Sequence, residues 1–429
     1  MRKVNAVALD LAYRKLSGAG GRLFADPEPA PDEVSFQVDN TSAAYYESTY
    51  YKLHKRDLQP VPEPRTPQPR VDLADVLQPA FLDAIAAAKQ VSFHAVGDTG
   101  AAKVNAFQTA RQALENEASV AEAMARDVQE GGATGPAFFF HLGDVVYNFG
   151  EGQYYYDQFY EPFRAYDRPI FAIPGNHDGM VFGDQPDLPR VPTLTAFLRN
   201  FCAEEPGSSP DAASIVRSTM NQPGVYFTLD APFVSIVGLY TNVLESPGVI
   251  SSQNGAYPTL AGDEQLHFLT AELARLAPAR KAGERVVLIA CHHPPASTDS
   301  AHGGSQGLAL DIDTASRAAG FWPDAVLSGH AHLYQRFTRR VDGREIPYIV
   351  AGSGGFAATR PIGGLPQTPI TVGEYTLDKP PIVEFGYLTV TVDMTGRDHH
   401  LTIDFHDRTN THIHDTTHLN LRTGKILVR

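Results

Sequence analysis

The chain has too few cysteines to cross-link itself. Only Cys202 and Cys291 occur in 429 residues, so no disulfide framework can be built. It also lacks an excess of positive charge. Lys and Arg number 35 against 49 Asp and Glu, a net charge of −14. An acidic surface repels phosphate backbones, which argues against a bulk nucleic-acid binder. It leaves room for a small phosphorylated substrate, because a local metal charge can dominate a site. No apolar run is long enough to span a membrane. The opening stretch MRKVNAVALDLAYRKLSGAGG has neither an apolar signal core nor a twin-arginine signal. The expectation is a cytoplasmic protein with no membrane partner; nothing in the sequence speaks to oligomeric state. Internal repeats are absent too.

What is present is globular in composition, with 43% hydrophobic and 20% charged residues. The length suits one large domain or two. The segment QPVPEPRTPQPR (59–70) is too rich in proline for helix or central strand and reads as an extended arm. A strand is expected within 33–38 and a helix over 71–90, broken near Pro79. From residue 91 short apolar runs alternate with helical stretches, which argues α/β. Helices are expected over 104–128, in part of 153–166, within 193–205 and over 262–277. A hairpin is expected over 224–242, turning near Ala231-Pro232, and the end of the chain is strand-rich. The division expected is a 1–90 extension, a 91–405 catalytic domain and a 406–429 tail packed upon it.

Polar residues collect where the apolar runs stop. VSFHAVGD ends at Asp98, and FFFHLGDVVY supplies Asp144 and Tyr147. IFAIPGNHD supplies Asn176 and His177, VVLIACHH supplies His292 and His293, and AVLSGHAH supplies His330 and His332. Sites in open α/β sheets form beyond the carboxyl ends of strands, so five such ends would converge on one pocket. The inventory is oxygen and imidazole without thiolate, which suits iron, zinc or manganese. Gly precedes Asp98, Asp144, Asn176 and His330 and tolerates tight turns. His330 and His332 would share one side of an extended segment, roughly 6–7 Å apart. That spacing could serve two metals about 3.5–4 Å apart.

Two competing patterns fail. GGSQG (303–307) matches a serine-hydrolase elbow but follows a Pro- and Ser-rich loop instead of a strand. Asp98-Thr99-Gly100 resembles an aspartic-protease loop, but no second Asp-Ser/Thr-Gly exists to share a proton.

The blocks resemble the calcineurin-like metallophosphoesterases, and within them the purple acid phosphatases. Most relatives carry Asp-x-His in the first block. Here position 100 is Gly, and a Tyr stands three residues after the second Asp. Purple acid phosphatases combine that loss with that replacement, and GHAHLYQR (329–336) is close to their last block. The resemblance covers about residues 91 to 405. It implies a four-layer α/β/β/α sandwich with two packed mixed sheets, and two metal ions: Fe with Zn, Mn or a second Fe. One metal would be held by Asp98, Asp144, Tyr147 and His332, the other by Asp144, Asn176, His292 and His330. His292 is preferred over His293 because the family pattern is a ligand His, one residue, then Pro. His177 would contact the phosphate, and His302 occupies the place of a second outer His, although a solvated His in a polar loop is an equal reading. His94, His141, His267 and the tail histidines His399, His400, His412, His414 and His418 read as structural or solvated. The implied reaction is hydrolysis of a small phosphate monoester by attack of a metal-bound hydroxide. Phosphodiester hydrolysis is the runner-up, and a non-catalytic interaction module on the same fold is a further alternative.

Overall fold

A computed structural model describes residues 37–38, 60–100, 110–147, 150–179, 194–241, 248–252, 262–299, 302–356, 367–410 and 412–428. The chain runs through β1 (Arg70–Asp72), α1 (Pro79–Ala88), β2 (Gln90–Val96), α2 (Ala110–Gly131), β3 (Phe139–His141), β4 (Ile170–Ala172) and α3 (Thr195–Phe201). It continues through β5 (Phe227–Ala231), β6 (Val234–Gly238), α4 (Glu264–Lys281), β7 (Val286–Cys291), α5 (Gln306–Ala319) and β8 (Ala325–Ser328). The remainder is strand: β9 (Tyr334–Val341), β10 (Arg344–Ala351), β11 (Ile370–Val372), β12 (Tyr375–Leu377), β13 (Gly386–Asp393), β14 (His400–Asp407), β15 (Ile413–Asn420) and β16 (Lys425–Val428).

A nine-stranded sheet has the order β11-β12-β9-β10-β8-β7-β6-β5-β1, and a seven-stranded sheet has the order β16-β15-β14-β13-β2-β3-β4. Both are mixed. Strands β6, β7, β8 and β10 run parallel in the first, and β2, β3 and β4 run parallel in the second.

Alternation along each strand assigns the layers. Leu288 and Ala290 of β7 face Phe93, Phe140, Leu388 and Ile403 in a core between the sheets. Val287, Ile289 and Cys291 face the other way, onto Leu269 and Leu273 of α4 and Leu308 and Ile312 of α5. Across the molecule Val96 and Phe139 pack on Val120, Met124 and Val128 of α2. Each such buried Leu, Ile or Phe contributes about 1.5–3 kcal/mol of transfer free energy. The result is the expected four-layer α/β/β/α arrangement. Among the described residues no helix is long and apolar enough to cross a membrane.

Several elements differ from expectation. The helix expected over 71–90 is instead strand β1, a 3₁₀ turn at Leu73–Asp75, and a helix that starts only at Pro79. The Asp72 side chain accepts from the Ala74 amide and turns the chain out of the strand. Gln78 is extended, as a residue before proline must be, and Pro79 takes the first helical position. The helix expected in 153–166 is a 3₁₀ turn followed by a π turn at Tyr156–Tyr160, where the Glu161 amide donates to Tyr156 O at 2.9 Å. Tyr155, Phe159, Tyr160, Phe163 and Tyr166 are all buried there. A regular helix buries a single stripe, and the wider turn brings this crowd of aromatics inward together.

The hairpin forms as β5 and β6. Of the expected strand 33–38, only Gln37–Val38 lie among the described residues, paired in parallel with Gly304–Ser305. Part of the helix expected over 104–128 (104–109), and residues 180–193, 242–247 and 253–261, lie outside the described residues. Of the 1–90 extension, β1 joins the nine-stranded sheet beside β5. Of the 406–429 tail, β15 and β16 join the seven-stranded sheet.

Candidate metal centre

Strands β2, β3 and β4 of one sheet and β7 and β8 of the other all end at one edge of the sandwich. Asp98 lies two residues past β2, Asp144 three past β3, and Asn176 four past β4. His292 follows β7 directly, and His330 and His332 lie two and four residues past β8. The chain must turn sharply at these points. Asp98, Asp144 and His330 adopt positive φ of 59°, 56° and 68°, a left-handed conformation that non-glycine residues rarely take. Such strain persists only where the surroundings enforce it. Here the Asp98 amide donates to Gly143 O at 2.9 Å, the Phe356 amide to Asp98 O at 3.1 Å, and the His330 amide to Asp98 Oδ2 at 2.8 Å.

All seven residues expected as metal ligands converge, and all are buried. The Tyr147 hydroxyl donates to Asp98 Oδ1 at 3.0 Å. His332 Nε2 lies 3.3 Å from both groups. On the other side, His292 Nε2 and His330 Nδ1 each lie 3.0 Å from Asn176 Oδ1. His292 Nε2 is 3.3 Å from Asp144 Oδ2, so Asp144 stands between the two groups. Ligand atoms, one each from Asp98, Asp144 and His292, lie within 4.8 Å of one another. Asp144 Oδ2, His330 Nε2 and His332 Nδ1 have no hydrogen-bond partner among the described residues. A buried polar atom left in that state costs about 1–3 kcal/mol, and a bound cation would satisfy it. The residues therefore fit a metal centre, on their chemistry as well as their placement.

Gly100 and Tyr147 are a single steric decision. A Cβ at position 100 would stand 2.9 Å from Tyr147 Cδ2, and 2.7 Å from both Gln158 Oε1 and Val145 O. Any side chain there would collide with the Val145 carbonyl, Gln158 and the tyrosine ring together, so the position Tyr147 occupies requires glycine at 100. Gln158, delivered by the π turn, brackets Tyr147 by accepting from its amide at 2.8 Å and donating to its carbonyl at 2.9 Å. The ring of Phe356 stacks on Tyr147 at 3.6 Å and 3°. The buried Asp178 carboxylate accepts from the amides of Val145, Val146 and Gly175 at 2.9–3.2 Å. It ties the Gly-Asp loop to the Gly-Asn-His loop.

Sequence reasoning missed Gln158, Asp178 and Phe356. Asp178 was detectable as the residue completing Asn-His-Asp. Gln158 carried no local signal, because a π turn has no sequence period to read.

The amide of His177 donates to Asp144 Oδ1 at 2.8 Å, and its ring centroid lies 4.2 Å from that of Tyr147. The structure also brings His302 to the rim. Its ring is 4.6 Å from His330 and 5.3 Å from His332, and Nδ1 donates to Asp299 at 2.9 Å. Its side chain remains 26% exposed. His293 bonds the Thr241 hydroxyl at 2.8 Å and lies beside His330, ring centroids 4.3 Å apart.

Charge is distributed unevenly over the cluster. Burial alone would raise Asp144, but the imidazoles of His292 and His177 outweigh it and hold the carboxyl far below its usual range. Burial works to lower His292, and Asp144 overcomes it, pushing the pKa up to about 9. Burial, then the neighbouring imidazoles, press His330 well down. Burial, with Asp144 and Asp98, keeps the Tyr147 phenol well above its usual value.

His141 reports on the same environment without being a ligand. Its Nδ1 accepts from the Gly143 amide at 3.1 Å, so Nε2 carries the proton and donates to Thr99 Oγ1 at 2.8 Å. Burial pushes its pKa down from 6.5 to about 3. The unfolded chain therefore binds this proton first. Stability is full above pH 6.5 and is lost as pH falls toward 3, with a slope of up to about 1.4 kcal/mol per pH unit. His141→Gln removes the titration. Urea unfolding of both proteins should show a stability gap at neutral pH that narrows steadily below pH 6.5. A gap independent of pH would mean that His141 is not held neutral.

No curated protein matches the sequence. Among solved structures the chain is similar to a purple acid phosphatase from yellow lupin (Lupinus luteus) seeds. The two share 14% identity with a TM-score of 0.53, over 77% of this chain and 54% of that one. It thus spans about half the length of the lupin protein. A dimetal phosphatase from Danio rerio is 13% identical with a TM-score of 0.41, over 77% of this chain and 99% of that one. Likeness at these identities is likeness of fold. Residues 91–334, more than half of the chain, match the family profile described as calcineurin-like phosphoesterase, and the chain belongs to that family.

Proposed function

We propose that the protein is a two-metal phosphatase acting on small phosphate monoesters, of the purple acid phosphatase kind. The observation that carries this reading is the placement of the Tyr147 hydroxyl, 3.0 Å from Asp98 and 3.3 Å from His332, beside a Gly100 that has no room for a side chain against Val145 O, Gln158 Oε1 and the Tyr147 ring. Asp98, Asp144, Tyr147 and His332 would hold one ion; Asp144, Asn176, His292 and His330 would hold the other. When bound, the ions (iron with zinc, manganese or a second iron) supply positive charge to the phosphoryl oxygens and lower the pKa of the attacking water.

The chain's own residues do the rest. Asp178 and Gln158 position the loops that carry the ligands. Tyr147 and Phe356 form a close-packed aromatic wall that keeps water off one side. His177 and His302 lie at the rim, where an imidazole can contact the phosphate and deliver a proton to the leaving oxygen. Asp299 holds His302 by Nδ1, which leaves Nε2 to face a ligand.

The test combines metal content with colour. Purified protein should carry close to two metal ions per chain. Iron-loaded, oxidised protein should absorb in the visible through a phenolate-to-iron transition, and Tyr147→Phe should abolish the band. A spectrum unchanged in that variant would remove Tyr147 from the ligands. A chromogenic monoester should be cleaved faster than the matching diester, and monoester hydrolysis by metal-free protein would sink the reading.

A further inference from the structure

The far end of the sandwich carries a second concave site. A groove of about 740 Å³ opens there, within the size range of small-molecule sites. It is built at the start of β7 and β10, before β8, and on the turns joining β13 to β14 and β15 to β16. Strand β7 separates it from the metal centre, with Val286 in the groove and Cys291 next to His292. That is about 17 Å along a strand.

The groove inverts the charge of the protein. Seven Arg and Lys side chains line it against one carboxylate, Asp342, in a chain of net charge −14. Several are only partly neutralised. Arg280 and Arg344 share one buried carboxylate, Asp324, at 2.5 and 3.3 Å, which leaves one positive charge over. Arg344 Nε is buried with no hydrogen-bond partner among the described residues. Arg317 reaches Asp313 only at 3.5 Å, and that carboxylate already pairs with Arg339 at 2.5 Å. Arg285 directs Nη1 at the Ala231 and Val234 carbonyls and reaches Asp230 only at 3.8 Å, a carboxylate that Arg275 holds at 3.0 Å. Arg422 does pair with Asp398, at 2.6 Å on the surface. Lys281 and Arg397 are exposed and have no ion-pair partner among the described residues. Asp342 is occupied by the Trp322 indole N–H at 2.8 Å.

Like charges gathered in a concavity raise the local concentration of counter-anions, and guanidinium forks match phosphate oxygens in pairs. We propose that this groove binds a small molecule bearing two or more phosphate groups, at a site separate from the metal centre. The cations come from two helix ends, the start of β10 and the turns around the cavity, so one orthophosphate would engage only part of them. A duplex or a flat membrane would meet an acidic molecule around a recessed basic patch.

Trp322 is the single tryptophan of the chain and lines the groove, so its emission reports binding there. Methylenediphosphonate serves as the probe, because its P–C–P link resists hydrolysis. Titrated into full-length, metal-loaded protein, it should change Trp322 emission saturably, and orthophosphate should act at least about tenfold more weakly. Lys281→Glu with Arg397→Glu touches no buried group. This variant should weaken the diphosphonate by roughly tenfold or more, the scale of one lost charge-assisted contact, with monoester hydrolysis unchanged. Three results would overturn the proposal: no saturable change in wild-type emission, equal affinity in the double variant, or a signal that vanishes on Asp144→Asn but not in the groove variant. Vesicles containing a phosphorylated inositol lipid separate the sources. Binding to vesicles and diphosphonate, both lost in the variant, supports the proposal with a lipid headgroup as the ligand. Diphosphonate binding alone supports it with a soluble ligand, and vesicle binding alone would replace it with membrane docking.

Discussion

Asp144→Asn is expected to cut monoester hydrolysis by about 10³–10⁴-fold, because a metal pair contributes several kcal/mol of charge stabilisation and each decade of rate is 1.36 kcal/mol. Asp144 is the group common to both sides of the cluster. Oδ1 accepts from the His177 amide at 2.8 Å, and Oδ2 stands 3.3 Å from His292 Nε2 without a hydrogen bond of its own. Asparagine keeps the shape and the Oδ1 acceptor but turns the second oxygen into a neutral donor, which repels a cation. Metal content should therefore fall from near two ions per chain to one or fewer. The fold should survive, because the substitution removes a buried charge without changing volume. Circular dichroism of the metal-free proteins should match, while elemental analysis and rates diverge. A variant with full metal content and near-wild-type rate would show that Asp144 does not bridge.

His177→Ala should separate substrates by their leaving groups. The His177 amide holds Asp144 through the backbone, so the alanine variant keeps that tether and loses only the ring. His177 is 8% exposed and its ring lies against Tyr147, close to the cluster yet outside its expected ligand set. An alkyl phosphate expels a strongly basic alkoxide and needs a proton as the bond breaks, whereas a nitrophenyl phosphate expels a stable anion. General acid catalysis is worth about 10²–10⁴-fold. The alkyl ester should lose rate on that scale, the aryl ester by less than about tenfold, and metal content should stay the same. The same pair of esters tested on His302→Ala ranks the second candidate. Equal losses on both esters would mean that these rings only bind phosphate, and that the proton comes from elsewhere.

The sequence by itself determined the strands and what they carry at their ends. Burial on both faces writes continuous apolar runs such as VVLIAC and AVLS. A ligand one to four residues past such a run must lie at the sheet's edge, so Asp98, Asp144, Asn176, His292 and His330 could be placed together before any fold was known. The pairing of Gly100 with Tyr147 was legible only through the resemblance to purple acid phosphatases, because a single sequence does not show what residue relatives carry at position 100. Only the tertiary structure decided what surrounds them. Local helix propensity over 71–78 and 153–166 gave way to an edge strand with a 3₁₀ turn and to a π turn, because partners distant in sequence offered better burial than helix formation did. Gln158, Asp178 and Phe356 support the cluster through contacts between separate loops, and such contacts have no period. The basic groove is the extreme case. Its charges come from helix ends and turns spread from Arg280 to Arg422. Along the chain each is an ordinary surface cation, and they become one field only when two sheets stack with those turns on the same side.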